Sequence, residues 1–215
     1  MKPVAIGKFI TLEGGEAAGK STQGKLLLEN LTKRNISAIF TREPGGTPEA
    51  EAIRNILLKG DGDKWDPMSE ALLFFAARRS HVHKKIIPAL NQGQWVICDR
   101  FTDSTLVYQG IVKGLGLEKM EELRKLVLPE IVPDLTLIID VPLDVAAKRL
   151  SRRAGLDRLE EKFVAAQELF QQGFHRLAKN DPIRYRLIDG SGSIPEVQER
   201  ILKTLEQELS LPKVA

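Results

Sequence analysis

Apolar residues along this chain fall into two kinds of run, short solid blocks and longer stretches with helical spacing, and the two kinds alternate. Solid blocks over Phe9 to Leu12, Trp95 to Cys98, Leu135 to Val141 and Tyr185 to Ile188 predict strands covered on both faces, with a fainter fifth over Ala38 to Phe40. Between them, apolar positions three and four apart predict helices over Lys20 to Arg34, Pro48 to Leu58, Ser69 to Asn91, Glu118 to Val127, Asp144 to Arg152, Glu160 to Ala178 and Pro195 to Leu209. Strand followed by helix, repeated along the chain, predicts an α/β fold: a doubly wound, five-stranded parallel sheet with helices on both faces. Ligands of such a sheet collect beyond the carboxyl ends of its strands. No repeat or long linker interrupts the alternation, so residues 1–215 read as one domain, with a short lid at about 150–160 that is rich in charge and contains Gly155.

Composition narrows the partners. The net charge of +3 is spread over many residues with no run of one sign, which argues against a nucleic-acid arm or a membrane-surface patch. The single cysteine, Cys98, ends the apolar block Val96-Ile97 and reads as a buried, reduced thiol. The N-terminal apolar residues are broken by Gly7 and Lys8, unlike a cleaved leader, and no stretch is long enough to cross a bilayer. The expectation is a cytoplasmic protein whose partners are small molecules.

The chemistry begins at Gly14-Gly15-Glu16-Ala17-Ala18-Gly19-Lys20-Ser21, which fits the phosphate-binding pattern G-x-x-x-x-G-K-[ST] between a predicted strand and a predicted helix. Glycines let successive backbone N–H groups turn toward phosphate oxygens, and the helix N-terminus adds positive potential at the same point. Lys20 is then placed for the β and γ phosphates of ATP and Ser21 for Mg²⁺. No guanine-reading N-K-x-D sequence occurs, which argues against a GTP switch. Asp99 and Arg100 follow the Trp95 to Cys98 block and so leave the sheet beside this loop. There a carboxylate can hold a metal-bound water and an arginine can grip a phosphate, or the two can simply close the strand as an ion pair.

Read in order, Phe9-Ile10-Thr11-Leu12-Glu13-Gly14, Thr41-Arg42-Glu43-Pro44-Gly45-Gly46, Leu73-Phe74-Phe75-Ala76-Ala77-Arg78, Asp99-Arg100-Phe101 and Tyr108-Gln109-Gly110 resemble the thymidylate kinase family over nearly the whole chain. The resemblance implies a P-loop nucleoside monophosphate kinase fold and transfer of the γ-phosphate of ATP to dTMP. The alternatives are another small nucleotide or deoxynucleoside kinase, or a nucleotide-binding protein without catalysis. It implies an ATP site over Gly14, Gly15, Glu16, Ala17, Ala18, Gly19, Lys20, Ser21 and Thr22, with Arg149 stacking on adenine. The expected metal ligands are Ser21 and Asp99, directly or through water. For dTMP it implies Phe74 stacking on the base, Arg78 hydrogen-bonding it, Glu16 at the 3'-hydroxyl, and Glu43 and Pro44 as a pocket wall whose peptide bond can be cis. Arg54 and Arg100 grip the phosphate, with Arg42 a weaker candidate, and Tyr108 crowds the 2' position, with Ser104, Thr105 and Gln109 nearby.

Catalysis by Lys20, Asp99 and Arg100 needs one more positive charge on the moving group, which some members carry inside the P-loop. Here Gly15, Glu16, Ala17 and Ala18 supply none. The resemblance therefore points to the lid of the bacterial type, to Arg153 first and then Arg158, with the adjacent Arg152 leaving the choice open. His81, His83 and His175 read as surface or structural residues, and a homodimer is the family expectation.

Overall fold

The structure, a computed structural model, describes residues 7–59, 64–151, 166–209 and 211. Its elements are β1 (Phe9–Glu13), α1 (Lys20–Lys33), β2 (Ala38–Arg42), α2 (Pro48–Leu58), α3 (Pro67–His81), α4 (Ile87–Asn91), β3 (Trp95–Asp99), α5 (Thr102–Thr105), α6 (Leu117–Val127), β4 (Leu135–Asp140), α7 (Leu143–Leu150), α8 (Gln167–Asn180), β5 (Tyr185–Asp189) and α9 (Ile194–Glu208). All five strands are parallel and lie in the order β2-β3-β1-β4-β5. The chain thus leaves β1, builds outward to β2, returns to fill β3 beside β1, and then crosses to the other side. That reversal opens a crevice at the carboxyl ends of β1 and β3, where Leu12 and Asp99 are register partners.

Alternation along each strand divides the core. Ile10, Leu12, Ile97 and Leu137 point to one face, where Leu27 and Leu31 of α1 and Ile201 and Leu205 of α9 cover them. Phe9, Val96 and Cys98 point to the other, beneath Phe75 and Phe101, and Ile138 continues that face beneath Phe170 and Phe174. Cys98 is fully buried, as its apolar context predicts. Among the described residues no helix is long and apolar enough to cross a membrane.

Two differences from the predicted elements bear on the site. The predicted helix Ser69 to Asn91 starts two residues earlier, because Asp66 caps the N–H groups of Met68 and Ser69 at 3.0 Å and Pro67 takes the first helical position. It also passes through a π-helical turn at Val82–Ile86 before continuing as α4. The second difference is larger: residues 102–112, where apolar spacing predicts no element, form α5 followed by a π-helical turn at Leu106–Val112. Wide turns of this kind recur at functional sites, and this one carries Tyr108 and Gln109.

Candidate active site

The loop after β1 closes over a helix N-terminus. Gly14 has φ 131°, and a Cβ there would lie 2.4 Å from the carbonyl oxygen of Ile139, so neither the conformation nor the space admits a side chain. Lys20, at the first position of α1, folds back so that Nζ donates to the carbonyls of Gly14 at 3.1 Å and Gly15 at 2.7 Å. Burial, and after it the charge of Arg100, lowers its pKa, although Glu16, Asp99 and Glu13 oppose the shift. Beside it the Ser21 hydroxyl donates to Asp99 Oδ2 across the β1–β3 crevice. A hydroxyl and a carboxylate in contact are hard oxygen donors and fit Mg²⁺ with water completing the shell.

Arg100 organises the floor of the crevice. It has φ 69°, a left-handed conformation that a bulky residue adopts only under constraint. Glu13, buried at the end of β1, supplies the constraint: Oε1 accepts from Phe101 N at 2.7 Å and Ser104 N at 3.2 Å, and Oε2 accepts from Ser104 Oγ at 2.6 Å. The guanidinium then reaches Ser104 Oγ at 3.1 Å, stacks over the Tyr108 ring with its central carbon 5.1 Å from the centroid, and pairs with Glu16. Burial opposes the charge of Arg100, but the carboxylate of Glu16 and its neighbours outweigh it, and the pKa is raised. Tyr108 donates to the same Glu16 oxygen at 3.0 Å, and burial raises its phenol.

Farther from the loop, α2, α3 and the 102–112 segment wall a cavity of ≈ 320 Å³. Phe74 lines it, half-buried and packed at the edge of the core rather than inside it. Arg78, one turn on, is 2% exposed. Nε donates to Glu43 Oε2 at 2.5 Å, Nη2 donates to Phe101 O at 3.0 Å and Thr105 Oγ1 at 3.1 Å, and Nη1 is buried with no hydrogen-bond partner among the described residues. Pro44, preceded by a cis bond from Glu43, accepts at its carbonyl from Arg54 Nη1 at 2.8 Å, and both residues line the cavity. Arg42 also lines the cavity, but Nη2 is shared between both oxygens of Glu51 in an exposed pair and Nη1 donates to Pro44 O at 3.2 Å. Gln109 is buried on the cavity wall and donates to Glu70 at 2.8 Å. Thr22 lines the cavity near the P-loop, and Arg149 contacts Ala17 O at 3.4 Å and Gly190 O at 3.0 Å on the far side of that loop. Arg152, Arg153 and Arg158 lie outside the described residues.

A family model for thymidylate kinase matches residues 12–201. The thymidylate kinase of Rhizorhabdus wittichii is 45% identical over 93% of this chain and 97% of its own, and that of Pseudomonas syringae pv. tomato is 42% identical over 96% and 99%. The chain belongs to the thymidylate kinase family. A crystal structure of thymidylate kinase from Ehrlichia chaffeensis superposes with a TM-score of 0.75 at 36% identity, covering 93% of this chain and 98% of that one. The thymidylate kinase motifs quoted from the sequence accordingly sit around one crevice.

Some residues of this thymidylate kinase site carry no signal in the linear pattern. Glu13 lies in a quoted motif with no role attached, and Glu70, which Gln109 and, at 2.5 Å, Lys113 hold behind the cavity wall, lies in none. Glu43, His81 and Cys98 bring ligand-type atoms within 4.8 Å of one another. The Glu43 carboxylate is occupied by Arg78 and His81, and burial holds the Cys98 thiol protonated. His83 and His175 sit in exposed pairs with Glu130 and Asp140.

Burial, then the charge of Asp103, lifts Glu13 from 4.5 to about 7, against the hydrogen bonds from Ser104 and Phe101. A carboxyl raised on folding binds its proton more tightly in the folded state. Its contribution to stability is therefore greatest below the unfolded value and falls as pH rises toward about 7. Glu13→Gln removes the titration, so the variant's stability relative to the parent should rise by ~3 kcal/mol between pH 5 and pH 8. Urea unfolding at the two pH values measures it, and an unchanged difference would mean that the carboxyl titrates normally.

Proposed function

We propose that this chain transfers the γ-phosphate of ATP to dTMP, giving ADP and dTDP. The observation that carries the reading is a single cavity with a phosphate-binding loop at one end and a base-sized recess at the other, joined by Arg100. Along the P-loop, backbone N–H groups and Lys20 hold the ATP phosphates. Ser21 and Asp99, in contact across the crevice, would hold Mg²⁺, which when bound would supply charge neutralisation at the ATP phosphates. At the other end Phe74 stacks on thymine, and Nη1 of Arg78, without a hydrogen-bond partner among the described residues, donates to an acceptor on the base edge. Arg100 and Arg54 take the dTMP phosphate, while Glu16 meets the 3'-hydroxyl and Tyr108 crowds the 2' position.

The dTMP phosphate is largely dianionic near neutral pH and already nucleophilic. The site therefore needs no general base, and alignment with charge stabilisation carries the reaction. The remaining charge on the moving group is assigned to the lid, to Arg153 and then Arg158, with Arg149 against adenine. Residues 1–215 act as one kinase domain, in the cytoplasm and as a homodimer, with neither nucleic acid nor membrane as partner.

A panel of dTMP, dUMP, dCMP, dGMP and thymidine with ATP and Mg²⁺ tests the reading by ADP formation. Because Arg78 presents only donors, kcat/KM for dTMP should exceed that for dCMP, which offers an amino group at that edge, by about a hundredfold or more. A faster reaction with another acceptor would reassign the substrate, and ADP formed with none of them would point to nucleotide binding alone.

A further inference from the structure

Arg78 is held from both sides, and one of its restraints is itself held. The central carbon of the guanidinium lies over the Phe75 ring at 5.1 Å from its centroid and over the Phe101 ring at 5.5 Å. Nη2 is anchored by Phe101 O and Thr105 Oγ1, and Nε by Glu43 Oε2. A planar fork fixed at Nε and Nη2 leaves one direction for Nη1. The anchor at Nε works only if the Glu43 carboxylate keeps its own rotamer, and Glu43 follows β2 in a turn rather than sitting on a helix or strand.

His81 supplies that restraint. It lies three residues after Arg78 on α3 and is fully buried. Nδ1 is 3.0 Å from Glu43 Oε1, and Nε2 is 2.8 Å from Thr41 Oγ1 at the end of β2. An ionised carboxylate only accepts, so Nδ1 carries a proton and donates. The ring cannot turn away, because the backbone wraps it: a Cβ on Gly46 would fall 2.4 Å from Nε2. A buried side chain with both nitrogens committed, one of them to the carboxylate that aims a cavity-lining arginine, does more than fill space.

We propose that His81 is a positioning residue for acceptor recognition, which through Glu43 fixes the plane of Arg78 and so the direction in which Nη1 meets the base. The proposal rests on the reading of Arg78 as the base-binding donor. It involves no contact between His81 and substrate and no proton transfer.

The test uses two substitutions that divide the two nitrogens. Asparagine places its amide N–H near Nδ1 and keeps the donor to Glu43, whereas glutamine reaches the Nε2 position and leaves Glu43 Oε1 without its partner. His81→Gln should raise the KM for dTMP about tenfold, with kcat and the KM for ATP within about twofold, and His81→Asn should stay within about threefold of the parent. In an Arg78→Ala background, itself impaired in dTMP KM, His81→Gln should add less than about twofold, because the two residues act in one chain. Equal effects of Gln and Asn, or an effect of Gln that persists without Arg78, would show that His81 only supports packing. An Arg78→Ala variant with unchanged dTMP KM would instead remove the reading of Arg78 on which the proposal stands. Should His81→Gln fail to fold, Thr41→Val loosens the ring from its other end. It should raise the dTMP KM about threefold in the parent and not in the Arg78→Ala protein; no rise in the parent would overturn the proposal.

Discussion

Lys20→Ala should lower kcat about a thousandfold while changing the KM for dTMP less than about threefold. The ammonium is buried at the first position of α1 and held by two carbonyls of its own loop, at 3.1 and 2.7 Å. Neither carbonyl carries a full charge, so neither neutralises it as a carboxylate would. Burial and the neighbouring Arg100 already lower its pKa, which means that the folded protein maintains this charge at a cost. A preorganised donor in a water-poor site is worth about 10² to 10³ in rate when aimed at charge developing in the transition state, and Lys20 brings a whole positive charge. Arginine should not restore the rate, since its planar fork does not reproduce the compact ammonium that donates to the carbonyls of Gly14 and Gly15. Thermal unfolding should be unaffected or improved, because the charges of Glu16, Asp99 and Glu13 offset the burial of this cation only in part, so removing it relieves desolvation. Steady-state kinetics with each substrate varied in turn decides the matter, and a kcat within tenfold of the parent would mean that Lys20 does not meet the transferred phosphate.

The parts of this site that could be read from the sequence are those in which residue type and spacing coincide with one physical demand. Glycine at Gly14 and Gly19, followed by Lys20 and Ser21, is required by backbone conformation and phosphate chemistry together, and the loop stands where the pattern put it. The strands were legible because blocks such as Val96-Ile97-Cys98 are buried on both faces. The segment from Thr102 to Gln109 was not legible, and the reason is chemical. Thr102, Asp103, Ser104, Thr105 and Gln109 are all buried, yet all are polar, so the element has burial without an apolar period. Its polar groups are satisfied by partners far away in sequence: Ser104 by Glu13, Thr105 by Arg78, Gln109 by Glu70 and Asp103 by Arg184. The same holds for His81, whose role depends on Thr41 and Glu43 arriving from another strand end. Resemblance could nominate residues for substrate contact, but only three-dimensional contact reveals those that hold them in place.

Asp103 gives the clearest energetic consequence of that arrangement, and Asp103→Ala should lower the free energy of unfolding by about 3–5 kcal/mol. The carboxylate is fully buried and accepts from Arg184 Nη1 at 3.0 Å and Nη2 at 2.8 Å, and from Tyr185 Oη at 2.6 Å. Thr136 Oγ1 lies 3.5 Å away and is in turn 2.8 Å from Thr11 Oγ1, so the network links α5 to β5, β4 and β1. Burial raises the pKa of Asp103 although Arg184 opposes it, so the ion pair does not recover the whole cost of desolvation. Two measurements follow from that imbalance. Deleting only the carboxylate removes the acceptor of the Tyr185 phenol and leaves the largely buried guanidinium of Arg184 to the exposed carboxylate of Asp181 at 3.6 Å, and should be strongly destabilising by urea unfolding. Replacing both partners, as in Asp103→Leu with Arg184→Met, should cost distinctly less than the two single changes added together, because no unpaired charge is left behind. Since Asp103 faces away from the nucleotide cavity, kcat below the unfolding transition should stay within about threefold of the parent in the single variant. A single-variant loss under about 1 kcal/mol would place Asp103 among ordinary surface pairs.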